Sequence, residues 1–514
     1  MKIRRHETFS WNHALWTCLA LGVGVFLAYG ITYTPSLIAT AREQSYTLPP
    51  LSLEDVRGDI VLGEPPALFV ETVPDLIGYV FRQEKTRGLL TFRGNDTRTW
   101  YGTGPVSHDM AQIWSYPERP MCSYSTALGE TKEWCGTGWT GQPLVWERPD
   151  GITEVIFGAY DGAVHFVNGA TGKPLRHPFP TRDIIKGTGT LDPDGYPLLY
   201  IGSRDNYMRI LALDTQEVRE LWSVDARTLG GIWNDDWDAS PLIHDGIMYQ
   251  GGENSHFYAF ELHRTYDAEG FISVHPKMIL DIPTYDAEWI ARAGDRNFSI
   301  ENSPVRFEDR VYFANSAGRI MGIDIRRIRQ GSAPVVFDFW VGDDIDATLI
   351  VDDEGMLYVA LEKERFNERS REVGQLIKIN PYSDNDPILW RHHVPGPTPS
   401  AIGGIWATPA LHQGYVYVPT HKGELWVIHA KTGERVFTDT LTPHAWSSPI
   451  IVDQTLLVGM CNGYMRMYDV RIPHAPRMVR DIRIGRGGCI ESTPAWWNGR
   501  MYIGSRDGFV YGFE

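Results

Sequence analysis

The chain has 514 residues and a formal net charge of −16 at pH 7. This acidic balance argues against sequence-independent binding of nucleic acid, which depends on many Lys and Arg contacts with phosphates. A content of 51 Gly, 33 Pro and 18 Trp, with few long helical periods, indicates a strand-rich protein rather than a helical one.

The N-terminus predicts a single-pass membrane anchor. Lys2, Arg4 and Arg5 lie in segment 1–13 and precede an uncharged run at 14–33, which is long enough to span a bilayer as a transmembrane helix. Positive charge before this run and an acidic body after it place 1–13 in the cytoplasm and the body in the periplasm or extracellular space. The alternative is a cleaved signal peptide, because Ala39-Thr40-Ala41 has the small-residue spacing of a processing site.

Segment 34–88 predicts a proline-rich tether between the anchor and the rest of the chain. It contains Pro35, Pro49-Pro50, Pro65-Pro66 and Pro74 and has little hydrophobic periodicity. Such a segment is expected to lie along or away from the domain that follows it, residues 89–514.

Eight copies of one sequence phrase occupy that domain. Each copy contains an apolar strand that ends in Tyr-x-Gly or a variant, and tight-turn pairs such as Asn498-Gly499 and Asp507-Gly508 bound the strands. Four short strands per copy predict an all-β fold, an eight-bladed β-propeller of four-stranded antiparallel blades, with a solenoid as the rival architecture. The copies are marked by Phe157-Gly158, Tyr200–Gly202, Tyr249–Gly251, Tyr312–Ala314, Tyr358–Ala360, Tyr417–Pro419, Leu457–Gly459 and Tyr502–Gly504.

The eighth copy lacks its fourth strand, since the sequence ends at Glu514. A matching piece, residues 112–116, precedes the first copy. The sequence therefore predicts that this piece completes the eighth blade and closes the ring.

Four cysteines follow the apolar run, and all of them are predicted to lie on one face of the ring. Cys122 and Cys135 share the loop before the first copy, Cys461 follows the second strand of copy seven, and Cys489 precedes copy eight. An even number of cysteines outside the cytoplasm suggests disulfides. The expected pairs are Cys122–Cys135 and Cys461–Cys489, with the other pairings left open.

In most copies the first, inner strand begins at a Ser-Pro or Thr-Pro mark, such as Thr493-Pro494. The position three places before the proline of this mark is predicted to face the central channel. Four of its occupants are carboxylates, which in a narrow channel repel one another and recruit a cation or bind protons. The alternative is that they are solvated at a wide mouth or paired with Lys186, Arg292 and Arg486. The occupants are Thr140, Gly187 beside Lys186, Asp238, Glu301, Asp346, Trp406, Trp446 and Glu491.

Several phrases resemble the quinoprotein-like family of eight-bladed propellers, whose members include dehydrogenases that use pyrroloquinoline quinone (PQQ) and cofactor-free scaffolds. Residues 92–99 resemble the segment that precedes such propellers. Ala170-Thr171-Gly172 and Ala430-Lys431-Thr432-Gly433 resemble parts of the family's docking motif, and Trp222 and Trp390 fall where its Trp packs between blades.

Residues 234–238, Asn-Asp-Asp-Trp-Asp, resemble a phrase of quinoprotein methanol dehydrogenases. The resemblance implies that Asp238 would be the base, that Trp406 or Trp446 would stack on PQQ, and that Ca²⁺ would polarise the quinone. The oxygen ligands of that Ca²⁺ would come from Glu301, Asn302, Asp346 and Glu491. Asp238 also fits a purely structural role in a turn or in the channel.

The favoured expectation is a membrane-anchored, extracytoplasmic scaffold without a cofactor, which binds other proteins through one propeller face in the setting of envelope protein assembly. Its contact surfaces would be the long insertions at 119–139, 262–288 and 363–374. The alternatives are a PQQ-dependent alcohol or sugar dehydrogenase and a carbohydrate binder that uses exposed Trp residues.

Overall fold

The computed structural model describes residues 70–77, 85–127, 129–138, 141–396 and 403–514. The predicted cytoplasmic segment 1–13, the predicted transmembrane helix 14–33 and most of the predicted tether lie outside the described residues. Within the described ranges, no helix has the length and apolar character needed to cross a bilayer.

Eight antiparallel sheets follow one another along the chain, one for each repeat, which confirms the predicted eight-bladed propeller. The first three strands of each blade are buried at nearly every position, because neighbouring blades cover both sides of a sheet. The fourth, outer strands consist mostly of exposed and half-buried residues, as expected at the rim.

The strands have the following bounds. Before the first repeat lie β1 (Arg87–Leu89), β2 (Gly102–Thr103), β3 (Gln112–Tyr116), β4 (Cys122–Ala127) and β5 (Glu130–Cys135). Blade 1 contains β6 (Leu144–Glu147), β7 (Thr153–Gly158), β8 (Ala163–Asn168) and β9 (Phe179–Pro180). Blade 2 contains β10 (Thr190–Leu191), β11 (Leu198–Gly202), β12 (Tyr207–Ala212) and β13 (Arg219–Asp225). Blade 3 contains β14 (Leu242–His244), β15 (Ile247–Gly251), β16 (His256–Glu261) and β19 (Lys277–Pro283), with a separate hairpin of β17 (Arg264–Tyr266) and β18 (Ile272–Val274).

The second half of the ring continues in the same way. Blade 4 contains β20 (Val305–Phe307), β21 (Arg310–Ala314), β22 (Arg319–Asp324) and β23 (Val335–Trp340). Blade 5 contains β24 (Ile350–Val351), β25 (Leu357–Ala360), β26 (Leu376–Ile379) and β27 (Ile388–His392). Blade 6 contains β28 (Ala410–His412), β29 (Tyr415–Pro419), β30 (Glu424–His429) and β31 (Arg435–Thr440). Blade 7 contains β32 (Ile450–Val452), β33 (Thr455–Gly459), β34 (Tyr464–Asp469) and β35 (Arg477–Arg483), and blade 8 contains β36 (Ala495–Trp497), β37 (Arg500–Gly504), β38 (Val510–Phe513) and β3.

Strand β3 is the outermost strand of blade 8, the position that the sequence predicts for residues 112–116. It runs antiparallel to β38, with Gln112 opposite Phe513 and Tyr116 opposite Val510. The indole N–H of Trp114 donates to the carbonyl of Gly169 in blade 1 at 3.0 Å. The closing strand therefore joins blade 8 to blade 1 as well as completing its own sheet.

Residues 89–103 cross the axis of the ring and form a segment that we call the plug. Strand β1 pairs with the inner strand of blade 1, and β2 pairs with the inner strand of blade 8. Between them, the buried guanidinium of Arg93 donates to the carbonyls of Pro409 at 2.7 Å and Pro449 at 3.0 Å, and that of Arg98 donates to Pro304 at 2.9 Å. The plug thus binds inner strands of blades on opposite sides of the channel and closes one end of it.

The last described part of the predicted tether, residues 70–77, lies along the ring. The amide of Glu71 donates to Pro174 O at 2.9 Å, and the amide of Leu76 donates to Asp214 O at 2.7 Å. Leu76 is buried among side chains of blades 1 and 2. This segment adds a strap across two neighbouring blades.

The two faces of the ring are named by what they carry. The mouth face carries the loops that join the second and third strands of each blade, and the plug face is the opposite one. Insertion 262–288 reaches both faces. Strands β17 and β18 lie in the loop that joins the third and fourth strands of blade 3 on the plug face, and α1 (Ala287–Ala293) begins after the fourth strand, on the mouth face. Insertion 363–374 lies on the mouth face and contains α2 (Glu368–Val373), and the described residues of insertion 119–139 lie there with the β4–β5 hairpin. The expectation that all three insertions share a face is therefore correct for only two of them.

Candidate functional site

Both predicted disulfides are present, Cys122–Cys135 and Cys461–Cys489. Both lie on the mouth face, as expected. The amide of Met121 donates to Gly508 O at 2.9 Å, and the amide of Arg506 donates to Cys489 O at 3.0 Å, so each pair is next to the same loop of blade 8. The disulfides therefore fasten the mouth face where blades 7, 8 and 1 meet.

One side of the channel mouth is a buried ion cluster around Lys186. Its ammonium contacts the carboxylate of Asp238 and lies 3.4 Å from Glu253 Oε1 and 3.9 Å from Glu301 Oε2. Glu253 also accepts a hydrogen bond from the side chain of Asn234 at 2.9 Å. The lysine thus provides an internal cation for three carboxylates that come from blades 3 and 4.

Burial and mutual repulsion dominate the electrostatics of this cluster. Burial raises the pKa of Glu301 to about 8, with repulsion from Asp346 adding to it and attraction to Lys186 opposing it. Burial likewise raises the pKa of Glu253 well above its ordinary value. For Lys186, burial alone lowers the pKa, but Asp238, Glu253 and Glu301 outweigh it and raise the pKa. The lysine is therefore held in its charged form.

A second group of carboxyls lies in blade 5 and is called the blade-5 carboxyl chain, comprising Asp344, Asp346, Glu362 and Glu364. The carboxyl of Asp346 interacts with those of Asp344 and Glu362, and Glu364 interacts with Asp344. Burial, followed by repulsion from the other members, raises the pKa of Asp346 and Glu362 well above the ordinary range. This group differs from the Lys186 cluster because no described lysine or arginine forms an ion pair with its carboxyls.

The other side of the mouth is aromatic. The rings of Trp406 and Trp446 stack with centroids 4.5 Å apart and an angle of 14° between their planes. His421 packs against both rings and accepts a hydrogen bond from the Trp446 indole N–H at 2.8 Å, and His444 lies 4.7 Å from the Trp446 ring. Burial lowers the pKa of both histidines, so the wall is uncharged at neutral pH.

Two predicted metal ligands are held by other groups. Glu491 Oε2 accepts from Arg506 Nη1 at 3.1 Å. The amide nitrogen of Asn302 donates to Ala314 O at 2.9 Å and to Ile345 O at 2.7 Å, and its oxygen accepts from the Ala314 amide at 3.1 Å. Asn302 therefore joins neighbouring blades through their backbones, and its side-chain oxygen is engaged there and not in the channel.

The PQQ and Ca²⁺ site stays a prediction. The carboxylate of Asp238 contacts the ammonium of Lys186, and its two oxygens accept no hydrogen bond from any other described residue. Trp406 and Trp446 stack on each other, so a quinone ring would have to stack on an outer face of the pair. Among the described residues, the acidic side chains whose oxygens all lie within 4.8 Å of one another are Asp238, Glu253 and Glu301, so Glu301 is the one predicted Ca²⁺ ligand in this group.

A second ring of mouth residues was missed by the sequence-based prediction. It consists of the residue two places after the second strand in each blade, and it includes Glu253, Glu362 and His421. The repeat contains the signal, because the same offset from each Tyr-x-Gly mark gives all eight positions. They are Tyr160, Arg204, Glu253, Ser316, Glu362, His421, Cys461 and Arg506.

Blade count, closure and channel together define an eight-bladed propeller of the quinoprotein-like fold, and comparisons with known proteins confirm that resemblance. A family model described as outer membrane protein assembly factor BamB matches residues 374–472. No curated protein sequence matches the chain.

Solved structures resemble the whole ring at low sequence identity. BamB from Moraxella catarrhalis is 16% identical with a TM-score of 0.51, over 79% of this chain and 99% of that one. Quinohemoprotein alcohol dehydrogenase from Comamonas testosteroni is 14% identical with a TM-score of 0.56, over 85% and 82% of the two chains. A computationally designed protein, Ika8, is 12% identical with a TM-score of 0.51, over 73% and 96%. These likenesses establish the fold.

Proposed function

We propose that this protein is a membrane-anchored, extracytoplasmic scaffold that binds other proteins through its mouth face. The observation that carries the proposal is the β4–β5 hairpin, which stands on the mouth face and is fastened at its base by the Cys122–Cys135 disulfide. The channel residues that a quinone enzyme would need are engaged in contacts with one another, which favours a binding role over a PQQ-dependent oxidation.

The hairpin has a rigid base and an exposed outer part, as a docking element requires. At the base, the Trp134 ring packs on Tyr160 with centroids 5.4 Å apart, and the Arg506 guanidinium lies 5.0 Å from the Trp134 ring. Farther out, Tyr124 is 72% exposed. A large aromatic side chain held in solvent by a fixed strand pair is typical of an interface anchor.

The proposed setting is the cell envelope. In this proposal residues 14–33 form the anchor, 1–13 lie in the cytoplasm and the propeller lies in the periplasm or outside the cell. Two disulfides support an oxidising compartment. The match of residues 374–472 to a family named for outer membrane protein assembly supports a role in assembling envelope proteins.

The test is site-specific photo-crosslinking in intact membranes. A photoreactive phenylalanine analogue replaces Tyr124 in one variant and Tyr382 in a control; Tyr382 is also exposed but lies in a third-to-fourth-strand loop on the plug face. We expect discrete protein adducts from position 124 and at least about tenfold less adduct from position 382.

A third variant joins Cys122 to Cys135 through two glycines in place of residues 123–134. The two Cα atoms are 4.1 Å apart, so the ring geometry can be kept. Loss of the partner from this variant would agree with the proposal. Equal adducts at positions 124 and 382, or a partner that stays bound without the hairpin, would contradict it.

A further inference from the structure

Two histidines form part of the aromatic wall on blades 6 and 7. The rings of His421 and His444 stack on each other with centroids 5.1 Å apart and an angle of 24° between their planes. Together with Trp406 and Trp446 they form one contiguous cluster, which we call the four-ring wall. All four side chains are half-buried, so the wall is partly exposed to solvent at the channel mouth.

The hydrogen bond between Trp446 and His421 fixes the protonation state of this imidazole. An indole N–H can only donate, so His421 Nδ1 is the unprotonated nitrogen that accepts the bond at 2.8 Å. A second proton on the imidazole would have to bind at Nδ1, the same atom. Two N–H groups would then face each other, and the hydrogen bond would be lost.

The backbone around the wall is fastened independently of these side chains. The amide of Cys461 donates to His444 O at 3.0 Å, and Cys461 forms a disulfide with Cys489. The amide of His421 donates to Gly404 O at 3.0 Å. A change in the wall is therefore confined to its side chains, and the blades stay in place.

An added proton has no carboxylate in contact within the described part of the chain. The histidine–carboxylate ion pairs there involve other histidines. Burial lowers the pKa of both imidazoles, and repulsion from His444 lowers that of His421 further. Lys422 pairs with Glu424 at 3.4 Å, and the ammonium of Lys363 donates to Val394 O. The charged side chains on the segments packed against the two imidazoles are Glu362, Lys363, Glu364, Lys422 and Glu424.

We propose that the four-ring wall is an acid-sensitive latch at the channel mouth. At neutral pH the imidazoles are uncharged, the Trp446 indole is hydrogen-bonded and the rings are stacked. A proton at His421 Nδ1 breaks that bond, and the rings separate and expose their faces to the channel. Since the stacked state binds protons less readily than the open state, acid favours the open state. A free imidazole takes up its proton near about pH 6.5, so the latch opens below that value. The latch is independent of whether the mouth binds proteins.

Nuclear magnetic resonance of the indole N–H groups tests the latch on the full-length chain in detergent, labelled with ¹⁵N-tryptophan. The signal of Trp446 is identified by its loss in Trp446→Phe. Between about pH 7.5 and about pH 4.5 we expect this signal to move toward the position of a solvent-exposed indole, with a midpoint below about pH 6.5.

His421→Asn is the decisive variant. The amide oxygen of asparagine can take the place of Nδ1 and accept from the indole, but it binds no proton in this range. We expect its pH-dependent shift to be at least about fivefold smaller than that of the wild type. His392→Asn is the matched control and should leave the Trp446 titration unchanged. His392 also packs on a tryptophan, Trp390, and burial also lowers its pKa, but its Nε2 bonds to Gly433 O.

If His421→Asn fails to fold, a second measurement on the wild type replaces it. The histidine nitrogen that accepts from Trp446 is identified by magnetisation transfer across this contact, and its proton uptake should share the midpoint of the Trp446 signal. Midpoints that differ by more than about one pH unit would overturn the proposal. It is also overturned if the Trp446 signal does not move over this pH range, or if it moves equally in His421→Asn.

Discussion

Single residues decide how the acidic channel is tolerated, and Lys186 has the largest role. Lys186 precedes Gly187, the blade-2 occupant of the channel ring, and the other described occupants of that ring are carboxylates and tryptophans. It contacts Asp238 and lies near Glu253 and Glu301. Without it, Asp238 would lose its counter-ion, and the pKa values of Glu253 and Glu301, which burial already raises, would rise further.

Lys186→Met is therefore expected to lower the free energy of unfolding by about 3–5 kcal/mol at pH 8, the usual cost of breaking a buried ion pair. The loss is expected to be smaller at pH 5. Without the ammonium the folded carboxyls must hold protons, whereas those of the unfolded chain are ionised at pH 8, so the penalty grows as pH rises. Urea unfolding at both pH values, with chelator present, measures it.

The matched control is Lys173→Met, which removes a lysine that lies on the surface 3.5 Å from Glu71. Its expected cost is below about 1 kcal/mol at either pH. A pH-independent loss for Lys186→Met would show that the side chain contributes through packing and not through its charge.

At the scale of elements, the plug has a larger structural role than its sequence indicates. The sequence predicts a lead-in at residues 92–99 and a tether before residue 89. In the structure, β1 begins at Arg87 and the plug closes the channel by donating to proline carbonyls. The Ser/Thr-Pro marks predict the inner strands correctly. However, the local sequence pattern does not show which side chain from across the ring donates to a proline carbonyl.

Arg93→Leu is expected to lower the free energy of unfolding by at least about 3 kcal/mol. It leaves the carbonyls of Pro409 and Pro449 buried without donors, at a cost of about 1–3 kcal/mol each. Arg87→Leu, two residues before the end of β1, removes an exposed guanidinium that pairs with Glu147 at 3.2 Å, and should cost less than about 1 kcal/mol. Equal effects in urea unfolding would argue against the plug as a structural closure.

At the scale of the whole molecule, ring closure depends on a strand from near the other end of the sequence. Trp114 on β3 stacks on Tyr502, with centroids 5.9 Å apart, and donates to blade 1. Ile113, next to it, is 42% exposed and points away from this interface. Substituting Trp114 therefore tests the closing contact, and substituting Ile113 controls for the change to the strand itself.

Trp114→Ala should raise amide hydrogen exchange in β3 and β38 by at least about tenfold, because an opening worth more than about 1.4 kcal/mol becomes easier. Ile113→Ala should leave exchange within about threefold of the wild type. Hydrogen–deuterium exchange with mass spectrometry resolves both strands. Unchanged exchange in β38 for Trp114→Ala would mean that the ring stays closed without this contact.

The sequence by itself determined the number of blades and the closing strand, and it favoured the two disulfide pairings and the height of the described channel residues that the structure contains. All of these follow from the order of strands and turns along the chain, which a repeat with tight Gly turns records locally. The membrane anchor also follows from local sequence, and it stays a prediction.

The tertiary structure alone decided which channel residues satisfy one another. Lys186 meets carboxylates from two other blades, the paired tryptophans stack on each other, and the blade-5 carboxyls have no cation among the described side chains. These outcomes depend on distances of a few ångströms between side chains far apart in sequence. Such distances are set by how eight sheets pack around an axis, and periodicity within any one sheet does not record them.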